Sequence, residues 1–254
     1  MLLIKQIPVL NDNYLFMIYD QNTRTSGCVD PAVSEPLINE LEKENLGLDF
    51  ILNTHHHFDH IGGNKDLKKK YNVKVVGFIE DKNRIPEIDI PLKDKQVWKY
   101  EKFEAKIFHI PGHTSGHICF NFFNEKLLFT GDTLFSLGCG RIFEGTYEQM
   151  FNSLNLIKNF PKETMIFCGH EYTVKNSEFC LMYDPNNEKL KRKISENKKK
   201  IKEGFPTIPV TLQDEIDMNI FLRSDQKNIQ RNLSLIEPTP LETFSKLRDL
   251  KDNF

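Results

Sequence analysis

The sequence predicts an α+β protein with a strand-rich segment, residues 1–172, followed by a helical tail, residues 173–254. Short apolar runs rich in β-branched and aromatic residues recur up to residue 168 and are typical of strands. Beyond residue 172 such runs give way to helical patterns, among them a Lys-rich one at 187–203. The 254 residues, 39% of them hydrophobic, suffice for a domain of about 170 residues with a smaller appendage.

In the first segment, each predicted strand ends at a turn signal or at a glycine. Two strands flank the turn Asn11-Asp12-Asn13, and Pro31 ends the next one. Ser34 is the expected N-cap of the first helix. The predicted strands are 2–9, 14–20, 27–31, 50–52, 73–76, 103–110, 118–123, 126–129 and 165–168, and the predicted helices of this segment are 34–46, 64–70 and 147–160.

The tail is predicted to be helical at 187–203, 213–222 and 240–250, with a short extended piece near 208–212. Gly204 and Pro206 end the first of these helices. The lysines at 198–200 fit a solvated helix face.

Composition argues against several functional classes. The formal net charge of −2 does not provide the basic surface that nucleic-acid binding needs, so no nucleic-acid partner is expected. Five cysteines without a C-x-x-C spacing indicate buried residues in a reducing compartment. Because the chain contains no signal-peptide pattern and no run of about 18 apolar residues, we expect a cytoplasmic protein without a membrane partner. A monomer is the default expectation, since no sequence feature indicates an oligomeric state.

A histidine cluster follows the buried strand 50–52 and reads Thr54-His55-His56-His57-Phe58-Asp59-His60. Alternate side chains share a side at the end of an extended segment, so His55 and His57 can converge while His56 points elsewhere. Imidazole and carboxylate groups suit zinc and other first-row divalent ions. Burying so many of them without a metal would be costly. Four ligands within six residues suggest two adjacent metals.

Three further candidate ligands stand after other predicted strands, each next to a glycine. They are His113 after Gly112, Asp132 after Gly131 and His170 after Gly169. Glycine allows the backbone to turn tightly and to approach a site closely. The repetition of this pattern at three strand ends argues that the three residues are not placed there by chance.

These residues resemble the metallo-β-lactamase superfamily. The resemblance implies a four-layer αββα sandwich with the metals at one edge of its sheets. It assigns His55, His57 and His113 to a first metal, Asp59, His60 and His170 to a second, and Asp132 to both. His56 and His117 match no ligand position. Asp59 and Asp132 are the expected catalytic residues, with Asp59 also orienting the attacking water.

Other motifs resemble the hydroxyacylglutathione hydrolases, also called glyoxalase II, over the whole chain. They are Asp12-Asn13-Tyr14, the run from Gly131 to Thr146 that contains Gly138-Cys139-Gly140-Arg141, the run from Gly169 to Thr173, and the terminal Arg248-x-x-Lys251-Asp252-x-Phe254.

This resemblance implies hydrolysis of S-D-lactoylglutathione to D-lactate and glutathione, with two divalent ions. Zinc is expected, and iron and manganese fit the same ligands. Arg141, Tyr172, Arg248 and Lys251 would bind glutathione. Phe143 stands where animal members carry tyrosine, so one hydrogen bond to glutathione is expected to be absent.

A thioester suits such a site because its thiolate leaving group, with a pKa of about 8.5, needs no general acid. Persulfide dioxygenases, relatives with a single iron, share the Gly-Cys-Gly-Arg run and remain the nearest alternative. The tail with Arg248 and Lys251 argues against them, and against a β-lactamase or lactonase. A non-catalytic metal-binding module is the remaining alternative, although all seven ligand positions are filled.

Overall fold

The computed structural model describes residues 2–254, which divide into two compact units. The first unit runs to His109 and includes Gly116–Gly131, and the second consists of Ile110–Ser115 and Asp132–Phe254. Both units contain strands and helices, so the predicted α+β composition is confirmed. No helix within residues 2–254 is long and apolar enough to cross a membrane.

The first unit contains a mixed sheet of six strands in the order β1-β2-β3-β4-β5-β6. The first three strands are antiparallel, and β3 to β6 run parallel to one another. The strand β4, which precedes the histidine cluster, is buried throughout, as expected for a parallel strand covered on both faces. The strands are Leu2–Val9, Asn13–Asp20, Ser26–Val29, Phe50–Leu52, Lys74–Phe78 and Ile88–Leu92.

A second, antiparallel sheet in this unit has the order β10-β9-β8-β7. Its strands are Val97–Tyr100, Phe103–His109, Ile118–Phe122 and Leu127–Gly131. Aromatic rings fill the space between the two sheets: Phe50 lies 4.8 Å from Trp98 and 5.2 Å from Phe103, and Phe16 lies 5.4 Å from Phe129, measured between ring centroids. The two sheets therefore pack face to face over an aromatic core.

Helices cover the other face of the mixed sheet. Leu37 and Leu41 of α1 (Glu35–Lys43) and Leu67 of α3 (Asn64–Tyr71) join one buried cluster with Met17 and Val75 of the strands. In chain order, α2 (Phe58–Ile61) follows α1 and precedes α3, and this single turn was not predicted from the sequence. Ser34 occupies the predicted N-cap position, but its hydroxyl makes no capping hydrogen bond because its backbone is already helical.

The second unit contains two short antiparallel strand pairs and six helices among its described residues. One pair is β11 (Leu134–Phe135) with β12 (Gly138–Cys139), and the other is β13 (Met165–Cys168) with β14 (Val210–Thr211). The helices α4 to α9 are Tyr147–Lys158, Thr173–Tyr183, Glu188–Lys202, Leu212–Met218, Lys227–Asn232 and Pro240–Asp252.

Of the elements described above, seven were absent from the sequence predictions, namely α2, β6, β7, β11, β12, α5 and α8. Helix α5 buries Asn176 and Ser177 together with Phe179 and Cys180, so its polar and apolar residues do not separate into two faces. All five cysteines are buried and free, as predicted, and Cys180 lies in α5.

Candidate metal centre

The histidine cluster begins two residues after β4 and continues into α2. The backbone of His57 is extended at the start of this helix, while His55 is fully buried. The atoms His55 Nε2 and His57 Nδ1 lie 3.2 Å apart, so the predicted convergence of these two side chains is confirmed. The turn of α2 places His60 Nε2 3.6 Å from Asp59 Oδ2. These four side chains form the part of the predicted ligand set that belongs to the first unit.

A buried carboxylate, Asp30, orients two of these imidazoles. Asp30 Oδ2 accepts the hydroxyl proton of Thr54 at 2.6 Å and lies 3.1 Å from His60 Nδ1. Since the Thr54 proton is used, its oxygen can only accept from His55 Nδ1, which is 3.0 Å away. The protons of His55 and His60 therefore lie on Nδ1, and their Nε2 lone pairs can bind a metal.

The sequence analysis interpreted Asp30 only as the end of a strand before Pro31. Its only signal was that a carboxylate directly follows a buried strand, without the glycine that precedes Asp132 and the two histidines. The three side chains Asp30, His55 and His60 also form a compact group whose donor atoms all lie within 4.8 Å of one another. Asp30 is hydrogen-bonded to Thr54 and faces the Nδ1 edge of His60, so it suits an orienting role.

Asp59 is more exposed than the candidate ligands His55 and His60, with 38% of its side chain accessible. Asn13 donates from Nδ2 to Asp59 Oδ2 at 2.9 Å and to its backbone carbonyl at 3.2 Å. Asn13 itself is buried at the start of β2. The motif Asp12-Asn13-Tyr14 thus includes a residue that fixes a candidate metal ligand.

Two histidines that lie next to the candidate ligands but outside the predicted set, His56 and His117, are held in other ways. His56 Nδ1 lies 3.4 Å from Asp81 Oδ2, a buried carboxylate that also binds Arg84. The ring of His117 stacks on that of His55, with centroids 4.6 Å apart and planes inclined by 17°. His117 therefore packs against a candidate ligand and limits its rotation.

In the second unit, Asp132 lies between two histidines. Its Oδ2 atom is 3.4 Å from His113 Nε2 and 3.2 Å from His170 Nε2. All three residues are buried, each with about 5% of its surface exposed. A carboxylate oxygen and two imidazole nitrogens that approach one another in this way are donor groups suited to a divalent metal ion.

The environment of His113 indicates where its proton lies. His113 Nδ1 is 2.8 Å from the backbone carbonyl of Arg141, which can only accept a hydrogen bond. In a neutral imidazole, the Nε2 lone pair then faces the carboxylate of Asp132, which is repulsive unless a cation lies between them. This donor set of buried imidazoles and carboxylates fits a first-row divalent ion.

Two neighbours constrain this part of the site. A Cβ atom on Gly140 would lie 1.9 Å from the backbone oxygen of Asp132, so only glycine fits there. The ring of Tyr172 stacks on that of His170, with centroids 4.8 Å apart and planes inclined by 7°. Tyr172 thus contacts a candidate metal ligand, as well as being a predicted substrate-binding residue.

The predicted glutathione-binding cations meet at Asp252. Arg141 Nε lies 3.2 Å from Asp252 Oδ1, and Arg248 Nη2 donates to the same oxygen at 2.9 Å. Arg248 is 4% exposed, while the Arg141 side chain is 54% exposed. Asp252 belongs to the terminal motif, but the sequence alone predicted no role for it. It is the acidic partner of both guanidinium groups.

Lys251 lies one helical turn from Arg248. Its ammonium group stands over the rings of Phe179 and Phe254, 5.0 and 4.6 Å from their centroids. Burial lowers the pKa of Lys251 to about 8, and the positive charge of Arg248 adds to this effect. Among residues 2–254, Lys251 Nζ and Arg248 Nε are buried without a hydrogen-bond acceptor. Phe143 is 61% exposed and packs edge-on to His113, 5.3 Å away.

Comparison with protein families first defines the class. The family model described as the metallo-beta-lactamase superfamily matches residues 27–170, which include every candidate metal ligand. A crystal structure of the B3 metallo-beta-lactamase BLEG-1 superimposes with a TM-score of 0.68 at 23% sequence identity, covering 87% of this chain and 99% of that one. The predicted α+β metallo-β-lactamase fold is confirmed.

The narrower family follows from the tail and from relatives of full length. A second family model, the hydroxyacylglutathione hydrolase C-terminus, matches residues 171–254. The hydroxyacylglutathione hydrolase of Pelagibacter ubique is 54% identical over 99% of both chains, and that of Methylococcus capsulatus is 42% identical over 100% of this chain and 99% of its own. The chain belongs to the hydroxyacylglutathione hydrolase family. It is therefore a metal-binding hydrolase.

Proposed function

We propose that this enzyme hydrolyses S-2-hydroxyacylglutathione thioesters, with S-D-lactoylglutathione as its main substrate, to the free acid and glutathione. This reaction would be the second step of methylglyoxal detoxification. The observation that carries the proposal is the pairing of Asp132 with the Nε2 atoms of His113 and His170. The names of the full-length relatives support the substrate class.

The proposed cofactors are two divalent ions, with zinc as the first candidate and iron or manganese as alternatives. His55, His57 and His113 would hold one ion, while Asp59, His60 and His170 would hold the other. Asp132 would be shared. When bound, such ions supply Lewis acidity and lower the pKa of a coordinated water towards ~7.

The protein residues around the ligands have their own tasks. Asp30 and Thr54 fix the tautomers of His55 and His60. Asp59, held by Asn13, would accept a hydrogen bond from the attacking water and orient it. The glutathione thiolate needs no proton from the enzyme because its conjugate acid has a pKa of about 8.5.

Glutathione carries carboxylates, which the cations of the second unit would bind. Arg248 Nε and Lys251 Nζ are buried donors that no described residue satisfies. A substrate carboxylate at this position would supply the missing acceptor, and charge-assisted hydrogen bonds of this kind are strong. Arg141 and the hydroxyl of Tyr172 would contribute further contacts. Phe143 would offer an apolar wall without a hydrogen bond.

The domain roles are proposed in the same way. Residues 1–172 would form the catalytic domain and residues 173–254 the substrate-binding domain, because α9 carries Arg248 and Lys251, the proposed glutathione-binding cations. We also propose that the protein acts as a monomer in the cytoplasm. Light scattering of the purified protein would test the oligomeric state.

The first test is hydrolysis of S-D-lactoylglutathione by the purified protein, followed by loss of thioester absorbance, with metal content measured on the same sample. We expect turnover with about two ions per chain, abolished by chelation. Arg248→Ala should raise KM, whereas Lys246→Ala, on an exposed position of the same helix, should not.

Two outcomes would contradict the proposal. Bound metal without thioester turnover would move the substrate to another ester, thioester or lactam. Iron-dependent oxygen uptake with glutathione persulfide, in place of hydrolysis, would show a dioxygenase instead.

A further inference from the structure

The segment that follows Asp132 is a small buried hairpin. Strands β11 and β12 pair Leu134 with Cys139 and Phe135 with Gly138, and Ser136 and Leu137 form the turn. Every residue from 132 to 140 is buried, and Leu137 adopts the left-handed conformation with φ of 58°. Two strands of two residues each leave most backbone groups without a ladder partner. Buried groups of this kind need hydrogen bonds from elsewhere.

Side chains of the C-terminal helices supply these hydrogen bonds. Six of the hairpin's backbone atoms are held in this way, by residues of α5, α7 and α9 and by Asn219, the residue that follows α7, whose side chain also donates to the carbonyl of Phe135 at 3.4 Å. Asn176 donates to the carbonyl of Ser136 at 3.1 Å, and Cys180 donates to the carbonyl of Leu137 at 3.1 Å. Asn219 donates to the carbonyl of Gly138 at 3.0 Å, and Arg248 donates to the carbonyl of Cys139 at 2.9 Å. Glu215 accepts from the amide of Leu137 at 2.8 Å.

Glu215 and Asn219 form the centre of this network. Asn219 Nδ2 donates to Glu215 Oε2 at 2.9 Å, and both residues are at most 1% exposed. Burial raises the pKa of Glu215 to about 7, although donors on Asn219, Leu137 and Ser136 favour the carboxylate. Burying a carboxyl group costs free energy that an apolar side chain of similar size would not. The hydrogen bonds of Glu215 to the hairpin therefore indicate a role beyond packing.

The hairpin connects two parts of the candidate metal centre. Asp132 lies two residues before β11, and Arg141 lies two residues after β12. The Gly140 amide donates to the Thr133 carbonyl at 3.1 Å and closes the open end of the hairpin. The backbone carbonyl of Arg141 in turn faces His113 Nδ1. A shift of the hairpin would therefore move both the carboxylate of Asp132 and the group that orients His113.

We propose that Glu215 and Asn219 are positioning residues that hold this hairpin, and through it Asp132 and His113, in the geometry that binds metal. The inference rests on the proposed roles of Asp132 and His113 as ligands. Neither positioning residue touches the substrate or the metal. Their removal should loosen the metal ligands while the rest of the fold persists, as loss of an outer-shell partner does in other metal sites.

The test compares Glu215→Ala, Glu215→Gln and Asn219→Ala with the metal-loaded wild type. The matched control is Asp217→Asn, which alters a half-exposed carboxylate of the same helix that pairs with Lys189. For each protein we would measure circular dichroism, the thermal midpoint, the zinc retained against a graded series of chelator concentrations, and kcat and KM.

We expect Glu215→Ala and Asn219→Ala to lose zinc at about tenfold lower chelator concentration and to show a lower kcat, with KM nearly unchanged. Glu215→Gln should retain zinc, because its amide oxygen can accept from Leu137 and Asn219. Asp217→Asn should behave as wild type. If Glu215→Ala does not fold, the inference is tested by comparing the zinc retention of Asn219→Ala with that of Glu215→Gln.

Wild-type zinc retention in Asn219→Ala, accompanied only by a lower thermal midpoint, would overturn the inference. The same zinc loss in Asp217→Asn would overturn it as well, because the effect would then be general to the helix. Zinc retention is measured without substrate. A wild type that binds zinc but does not cleave the thioester would therefore refute the proposed function and leave this comparison intact.

Discussion

Glu215 should make folding stability depend on pH in a way that Gln cannot reproduce. Its carboxyl is buried in the folded protein, where its pKa rises from 4.5 to about 7. Asp214 on the same helix contributes to this rise, and Cys168 and Cys180 are the other titratable groups that sense Glu215. The folded state binds the Glu215 proton more tightly than the unfolded state does. The stability that protonated Glu215 contributes is therefore fully present below pH 4.5 and is lost as the pH rises through about 7.

The size of the effect follows from the two pKa values. Each pKa unit corresponds to ~1.4 kcal/mol, so ionisation of Glu215 costs the folded state about 3 kcal/mol once both states are deprotonated. Between pH 5 and 8.5 the wild type should lose about 2.5 kcal/mol of unfolding free energy more than Glu215→Gln.

The assay is urea unfolding of both proteins, stripped of metal by the same chelator, at several pH values across this range. Both proteins contain the same histidines, so any contribution of these residues to the pH dependence cancels in the difference. Parallel curves of unfolding free energy against pH would refute the reasoning. They would mean that Glu215 keeps an ordinary pKa, with water or a cation stabilising its charge.

Three further predictions concern the metal and substrate residues. Because burial lowers the pKa of Lys251 to about 8, KM for the thioester should rise as the pH increases through 8. Lys251→Met should raise KM at pH 7 and remove this dependence of KM on pH. Asp30→Asn should weaken metal binding by about 10–100-fold, measured by competition with a chromogenic chelator, since it removes the negative charge and replaces one of the two oxygens that face Thr54 and His60 with an amide donor. Gly140→Ala should reduce metal content and kcat together, because its Cβ would lie 1.9 Å from the Asp132 carbonyl oxygen; a variant with normal metal content would contradict this reading.

Local patterns predicted much of the candidate site. The alternation of side chains after β4 predicted that His55 and His57 converge, and their nitrogens lie 3.2 Å apart. The strand-glycine-ligand pattern identified Asp132 and its two histidine neighbours. Such patterns succeed because the direction of a side chain at a strand end depends on only a few neighbouring residues.

Residues that act over long sequence distances were missed. Asp30 lies 24 residues before Thr54 and 30 before His60, so its role depends on the pairing of β3 with β4. Before Pro31 it resembles an ordinary turn residue. Glu215 contacts Leu137 across 78 residues and sits in a helical pattern where glutamate normally faces solvent. No local periodicity distinguishes such a residue from a surface one.

The C-terminal helices have a structural effect on the site beyond the cations they carry. A binding surface alone would require only Arg248 and Lys251 at the right positions. Arg248, however, donates from Nη1 to the carbonyl of Cys139 while its Nη2 binds Asp252. One side chain thus links the predicted glutathione pocket to the hairpin that leads from Asp132. Glutathione binding at Arg248 and retention of metal at Asp132 should therefore be coupled, so that bound glutathione changes the affinity for metal by the same free energy as bound metal changes the affinity for glutathione.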